Sequence, residues 1–172
     1  MHAAVKFFLG LALAVVAHFV GAQLFPGFPR AVDVFLVVIV LYSLSGDSLT
    51  SLLAGLAVGL LEDTLTGGLY GLYGFADTII GYGVARLAQR LVIQRATGVF
   101  TVASLASLAQ QGIVVGLAWT VLPGPSYPRP LWVGVKAAVC GALAMLVYAA
   151  TERFRRAYDV RRRSRMSRLR LG

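Results

Sequence analysis

Six apolar stretches, each closed by glycine, proline or charge, divide this chain. The first runs from about Ala3 to Ala22, about 20 residues and enough to cross a bilayer core, and gives way to the Pro/Gly loop "QLFPGFPR". The second and third, about Ala31 to Leu44 and about Ser48 to Leu61, are shorter. At about 1.5 Å per residue each reaches about 21 Å, less than the roughly 30 Å of the hydrocarbon core. They are expected to thin the bilayer locally or to form a re-entrant hairpin. The fourth covers about Leu69 to Leu87, the fifth about Thr97 to Leu122, and the sixth about Leu131 to Ala150, the last two parted by "PGPSYPRP". No stretch alternates with a period of two, which excludes an outer-membrane barrel. The pattern predicts an all-α membrane protein, a six-helix transmembrane bundle.

Composition agrees. The chain is 58% hydrophobic and only 13% charged, against about 25% charged in soluble domains. Charge sharpens the picture because it is unevenly spread. Residues 1–151 form the transmembrane domain, with seven Lys/Arg and five Asp/Glu. Residues 152–172 form a basic tail with nine Arg and two acids. Six crossings put the N-terminus, the 86–96 loop and the tail on one side, with Lys6, Arg86, Arg90 and Arg95 and the tail arginines. The other side carries Arg30 and Arg129. Positive loops stay inside, so both termini are expected in the cytoplasm. Arg155, Arg156, Arg161, Arg162, Arg163 and Arg165 are then expected to meet anionic lipid, not nucleic acid. Val20-Gly21-Ala22 looks like a signal cleavage site, but one basic residue, Lys6, is a thin leader, and an uncleaved helix is expected.

Little of the chain suggests catalysis or a cofactor. Gly46-Asp47-Ser48-Leu49 spells the GDSL string of a serine esterase family, yet His2 and His18 both lie upstream and no base follows. Asp47 or Ser48 is better read as an N-cap of the third helix. Asp63 and Asp77 could be offered as an intramembrane aspartyl dyad, but Gly74-Phe75-Ala76-Asp77 departs from the GxGD string of those enzymes. Cys140 is alone, so neither a disulfide nor a zinc site is suggested. A charge within lipid must be paired or wet, and Asp77 with Lys136 is the expected intramembrane charge pair. His18 is expected to hydrogen-bond between helices.

The glycines repeat. Gly55/Gly59 and Gly112/Gly116 are GxxxG pairs, and Gly67/Gly71 continues the spacing, which lets helix backbones approach closely. Glu62 and Asp63 end the third stretch. Adjacent helical residues point about 100° apart, so they do not form an acid/base pair, and a helix C-terminus disfavours negative charge. Asp63 is therefore expected to accept hydrogen bonds from the amides of the turn or of the next helix. Asn in its place is expected to be a mild change.

At these residues the chain resembles the rod shape-determining MreD family. The match consists of Gly59, Leu60, Leu61, Asp63, Thr66, Gly67, Gly71 and Gly74, then Gly81-Tyr82. Glu62 replaces a usual apolar residue, Tyr73 stands where His is common, and Asp77 is additional. The resemblance implies a fold similar to the S-component of energy-coupling-factor transporters. It also implies a non-enzymatic scaffold, without a cofactor, in the bacterial inner membrane. It would bind MreC, a single-pass partner, and help organise MreB and the synthase pair of RodA and its class-B transpeptidase. A homo-oligomer is compatible with the same helix faces. Gly112, Gly116, Gln110, Gln111 and Gly55 are the residues expected to meet MreC. The alternative from the S-component likeness is a vitamin-binding transporter subunit.

Overall fold

The computed structural model describes residues 2–25, 27–67, 70–91, 95–121 and 130–168, with side chains within 5–120 and 130–155 of these. Among the described residues the chain is helical throughout, without a strand. The helices are α1 His2–Leu24, α2 Phe28–Ala31, α3 Val34–Ser43, α4 Ser48–Thr66, α5 Leu72–Arg90, α6 Ala96–Val121 and α7 Pro130–Arg168. Four of them, α1, α4, α6 and α7 up to Arg155, are long and apolar enough to cross a membrane.

The centre of the bundle is its shortest full helix. α3 has ten residues, about 15 Å, and touches α1, α4, α5, α6 and α7. Its run "VFLVVIVLYS" is apolar on every side, and a helix without a polar face is stable only when surrounded. Phe35, Leu36, Ile39 and Val40 accordingly have almost no exposed surface. The start of α3 is fixed by Asp33, whose Oδ1 accepts the Leu36 N–H at 2.9 Å, an N-cap bond.

Two expected boundaries move. The second apolar stretch is not continuous: it breaks at Val32 and Asp33 into the single turn α2 and the buried α3. The third is longer than expected. α4 runs through Glu62 and Asp63 to Thr66, 19 residues or about 28 Å, so it has the length to span and the expected shortness disappears. The two acids do not end the helix because protein groups, not lipid, surround them. Asp47 does stand at the N-cap of α4, but its side chain makes no cap bond; instead the Thr50 hydroxyl donates to the Asp47 carbonyl at 2.9 Å.

α4 and α5 form the tightest pair. A Cβ on Gly55 would run into the Asp77 carbonyl, on Gly59 into the Tyr73 carbonyl, and on Gly81 into the Ser51 carbonyl. Gly67 and Gly71 work differently. They have φ of 65° and 96°, the left-handed backbone that glycine adopts without strain. They are turn residues, not the packing pair their spacing implied. α6 and α7 pair beside them, with Gly141 against Ser104 and Phe100.

α1 lies at the edge and packs Phe7, Leu11, Ala14 and Val15 against α3 and its neighbours. His18 meets the Phe35 ring at 5.4 Å between centroids. That contact joins two helices but is not the hydrogen bond expected of it. At the other end, α7 continues past residue 151 without a break, so the division into 1–151 and 152–172 is one of composition. Arg156, Arg161, Arg162, Arg163 and Arg165 fall on side chains outside the described set. Arg155 is described, 3.6 Å from Glu152.

Candidate functional site

Six buried polar groups gather at the end of the bundle where α4 stops and α3, α5 and α7 begin. Asp33, Glu62, Asp63, Asp77, Gln110 and Lys136 are all buried. Asp77 lies five residues into α5 and Lys136 six into α7, about 8–9 Å from those helix starts.

Asp63 closes the hairpin. Its Oδ2 accepts the N–H of Gly71 at 2.9 Å and of Gly74 at 3.0 Å, and its Oδ1 accepts the Tyr73 N–H at 3.1 Å. These are first-turn donors of α5, which have no acceptor inside their own helix. The carboxylate therefore sits at the favourable end of the α5 dipole, which offsets its poor place at the end of α4. Thr66 completes the turn by donating to the Glu62 carbonyl at 2.8 Å. Since both carboxylate oxygens are used, Asn at 63 must turn an NH2 toward a donor. This geometry leads us to expect a larger loss than the mild one.

The intramembrane charge pair differs from the one expected. Lys136 Nζ lies 2.8 Å from Asp33 Oδ2, while Asp77 Oδ1 accepts from Gln110 Nε2 at 2.7 Å. Asp77 and Lys136 are not partners. Asp33 wins because the same carboxylate caps α3 and is held from α7 as well. The Cys140 Sγ accepts the Asp33 N–H at 3.4 Å and donates to the Asp33 carbonyl at 3.7 Å. The ammonium also stands 5.8 Å from the centroid of the Tyr73 ring, a cation–π contact. Sequence reasoning missed Asp33. The available signal was an acid directly before a ten-residue apolar run, which marks a helix start.

The other candidates separate clearly. Asp63 and Asp77 have different partners and form no dyad. The Ser48 hydroxyl accepts from Gln89 on α5 at 3.0 Å. Gly55 is buried against α5, so it is not an outward face, and Gln110 is committed to Asp77. Gln111 makes a long contact, 3.5 Å, to the Val133 carbonyl. Gly112 and Gly116 are open: a Cβ on either would meet nothing within 4 Å. Tyr82 is exposed, with the Arg86 guanidinium 5.7 Å from its ring centroid. Among the described residues no group of three or more His, Cys, Asp or Glu could hold a metal ion.

The signature Gly59, Asp63, Thr66, Gly67, Gly71, Gly74 and Gly81 thus builds one unit, the α4–α5 hairpin. The family model of the rod shape-determining protein MreD matches residues 1–124. The chain belongs to the MreD family. MreD membership makes rod-shape determination its role and, with the apolar helices, makes it a membrane protein. No curated protein and no solved structure matches the chain. The MreD match ends within the 122–129 segment, so Lys136 and Cys140, which complete the Asp33 site, lie beyond it.

Proposed function

We propose that this MreD chain is a non-enzymatic scaffold of the cell-elongation machinery in the bacterial inner membrane. It holds the transmembrane helix of MreC and helps organise MreB and the RodA–transpeptidase pair. Both termini and the connection between α5 and α6 face the cytoplasm, which puts the polar cluster in the outer half of the bilayer. The reading rests on family membership. Its geometric support is the contrast between two glycine pairs: Gly55 and Gly59 are consumed inside the hairpin, whereas Gly112 and Gly116 leave an open strip on α6. Lipid is as apolar as a partner helix, so such docking depends on close packing and a few polar contacts. Gln111, beside that strip, supplies a polar group.

A centre filled by α3 does not favour the vitamin-binding reading. Depletion in the native bacterium tests the role: rounded, lysing cells are expected, and normal rods that require a vitamin would reverse it. Replacing Gly112 and Gly116 by Leu tests the surface. The protein is expected to stay folded and to lose co-purification with MreC. Full retention of MreC would mean that the partner is held elsewhere.

A further inference from the structure

Asp77 and Gln110 form a contact whose donors and acceptors do not balance. Both side chains are fully buried. Gln110 Nε2 donates to Asp77 Oδ1 at 2.7 Å, which leaves Asp77 Oδ2 and Gln110 Oε1. Both oxygens are buried without a hydrogen-bond partner among the described residues. An ionised carboxylate and an amide oxygen are acceptors only. Exchanging the amide N and O does not help, because it sets two acceptors, the amide oxygen and Asp77 Oδ1, 2.7 Å apart.

Among the described residues, the one cation of this cluster is already paired. From α3 comes Asp33, and from α7 Lys136, which are paired with each other at 2.8 Å. From α4 come two more acids: Asp63, which holds the turn amides, and Glu62, whose Oε2 is itself without a partner. α5 itself adds Tyr73, a neutral phenol. On α6, Ser107 lies one turn from Gln110 and adds a neutral hydroxyl. An ionised Asp77 would be a lone buried carboxylate among acids, which is far more costly than a neutral one.

We infer that Asp77 is a proton-binding site, its Oδ2 carrying a proton donated to Gln110 Oε1, so that a neutral acid–amide pair joins α5 to α6. A single proton gives both leftover oxygens a partner. Both are on terminal sp³–sp² torsions, which are broad enough to bring them together. The ligand is the proton itself, and its loss would leave a charge that only water or separation of the two helices could solvate. This site goes beyond the scaffold role and does not depend on it.

The test is the infrared spectrum of the full chain in lipid at neutral pH, grown with aspartate carrying ¹³C at the side-chain carboxyl. The expected result is a protonated-acid carbonyl band that shifts with the label, which assigns it to an aspartate and not to Glu62. Asp77→Asn should abolish the band yet melt at the same temperature, since its NH2 replaces the acid O–H toward Gln110. Asp77→Leu should melt lower. Absence of a label-sensitive acid band from the unsubstituted protein would overturn the inference, and that measurement needs no variant to fold. A labelled band that persists in Asp77→Asn would overturn it too, by giving the proton to another aspartate.

Discussion

Lys136 and Asp33 show how a single residue choice governs this interior. Each is buried, and removing one leaves the other as an uncompensated charge, which costs roughly 3–5 kcal/mol. Lys136→Met should therefore lower the thermal stability of the detergent-solubilised protein sharply. Adding Asp33→Asn should recover much of the loss, because Asn keeps the oxygen that caps Leu36 and carries no charge. A double variant no more stable than Lys136→Met would mean that the ammonium acts by some other contact. Asp63 invites the opposite experiment from Asp77. Three amide donors share its two oxygens, so Asp63→Asn should destabilise where Asp77→Asn does not. Asp63→Leu should cost more, roughly 1–3 kcal/mol for each buried amide left unpaired. Equal melting temperatures for Asp63→Asn and the unsubstituted protein would refute this account of the turn.

Among the elements, the α4–α5 hairpin is the unit that most strictly fixes its sequence. Its glycines are of two kinds, and substitution should separate them. Leu at Gly55 and Gly59 pushes side chains into the carbonyls of Asp77 and Tyr73, so the helices must part and the protein should aggregate on extraction. Leu at Gly112 and Gly116 meets open space and should leave a monodisperse protein in size-exclusion chromatography. If both pairs tolerated Leu equally, the close approach of α4 to α5 would be wrong. α3 makes the complementary point. It is too short to cross the core by itself, and its position follows from apolarity on all sides together with a cap that reaches α7.

For the whole molecule, orientation and surface charge follow from the distribution of Lys and Arg. In a Cys140→Ser background, a Cys at Ser126 should react with an impermeant thiol reagent in spheroplasts, and one at Ser167 should not. The reverse pattern would invert the topology. Truncation after Thr151 should weaken binding to anionic liposomes, at about 1 kcal/mol per arginine near the surface, and most at low salt. Unchanged binding at low salt would show that the tail does not meet the lipid.

The sequence alone determined the all-helical class, the family and the Asp63 turn, because each depends on residues close together along the chain. Apolar length marks a membrane helix, and an acid followed by Thr66, Gly67 and Gly71 marks a carboxylate beside free amides. Which charge meets which was not determined this way. The partner expected for Lys136 was Asp77, 59 residues away, whereas Asp33 lies 103 away, and periodicity does not rank contacts between distant helices. The tertiary structure decided for Asp33, since the packing of α3 in the centre brings its N-terminus against α7. It likewise separated two identical glycine spacings into a buried contact and an open strip. A spacing puts residues on one face of a helix, but only the neighbouring helices decide what that face meets.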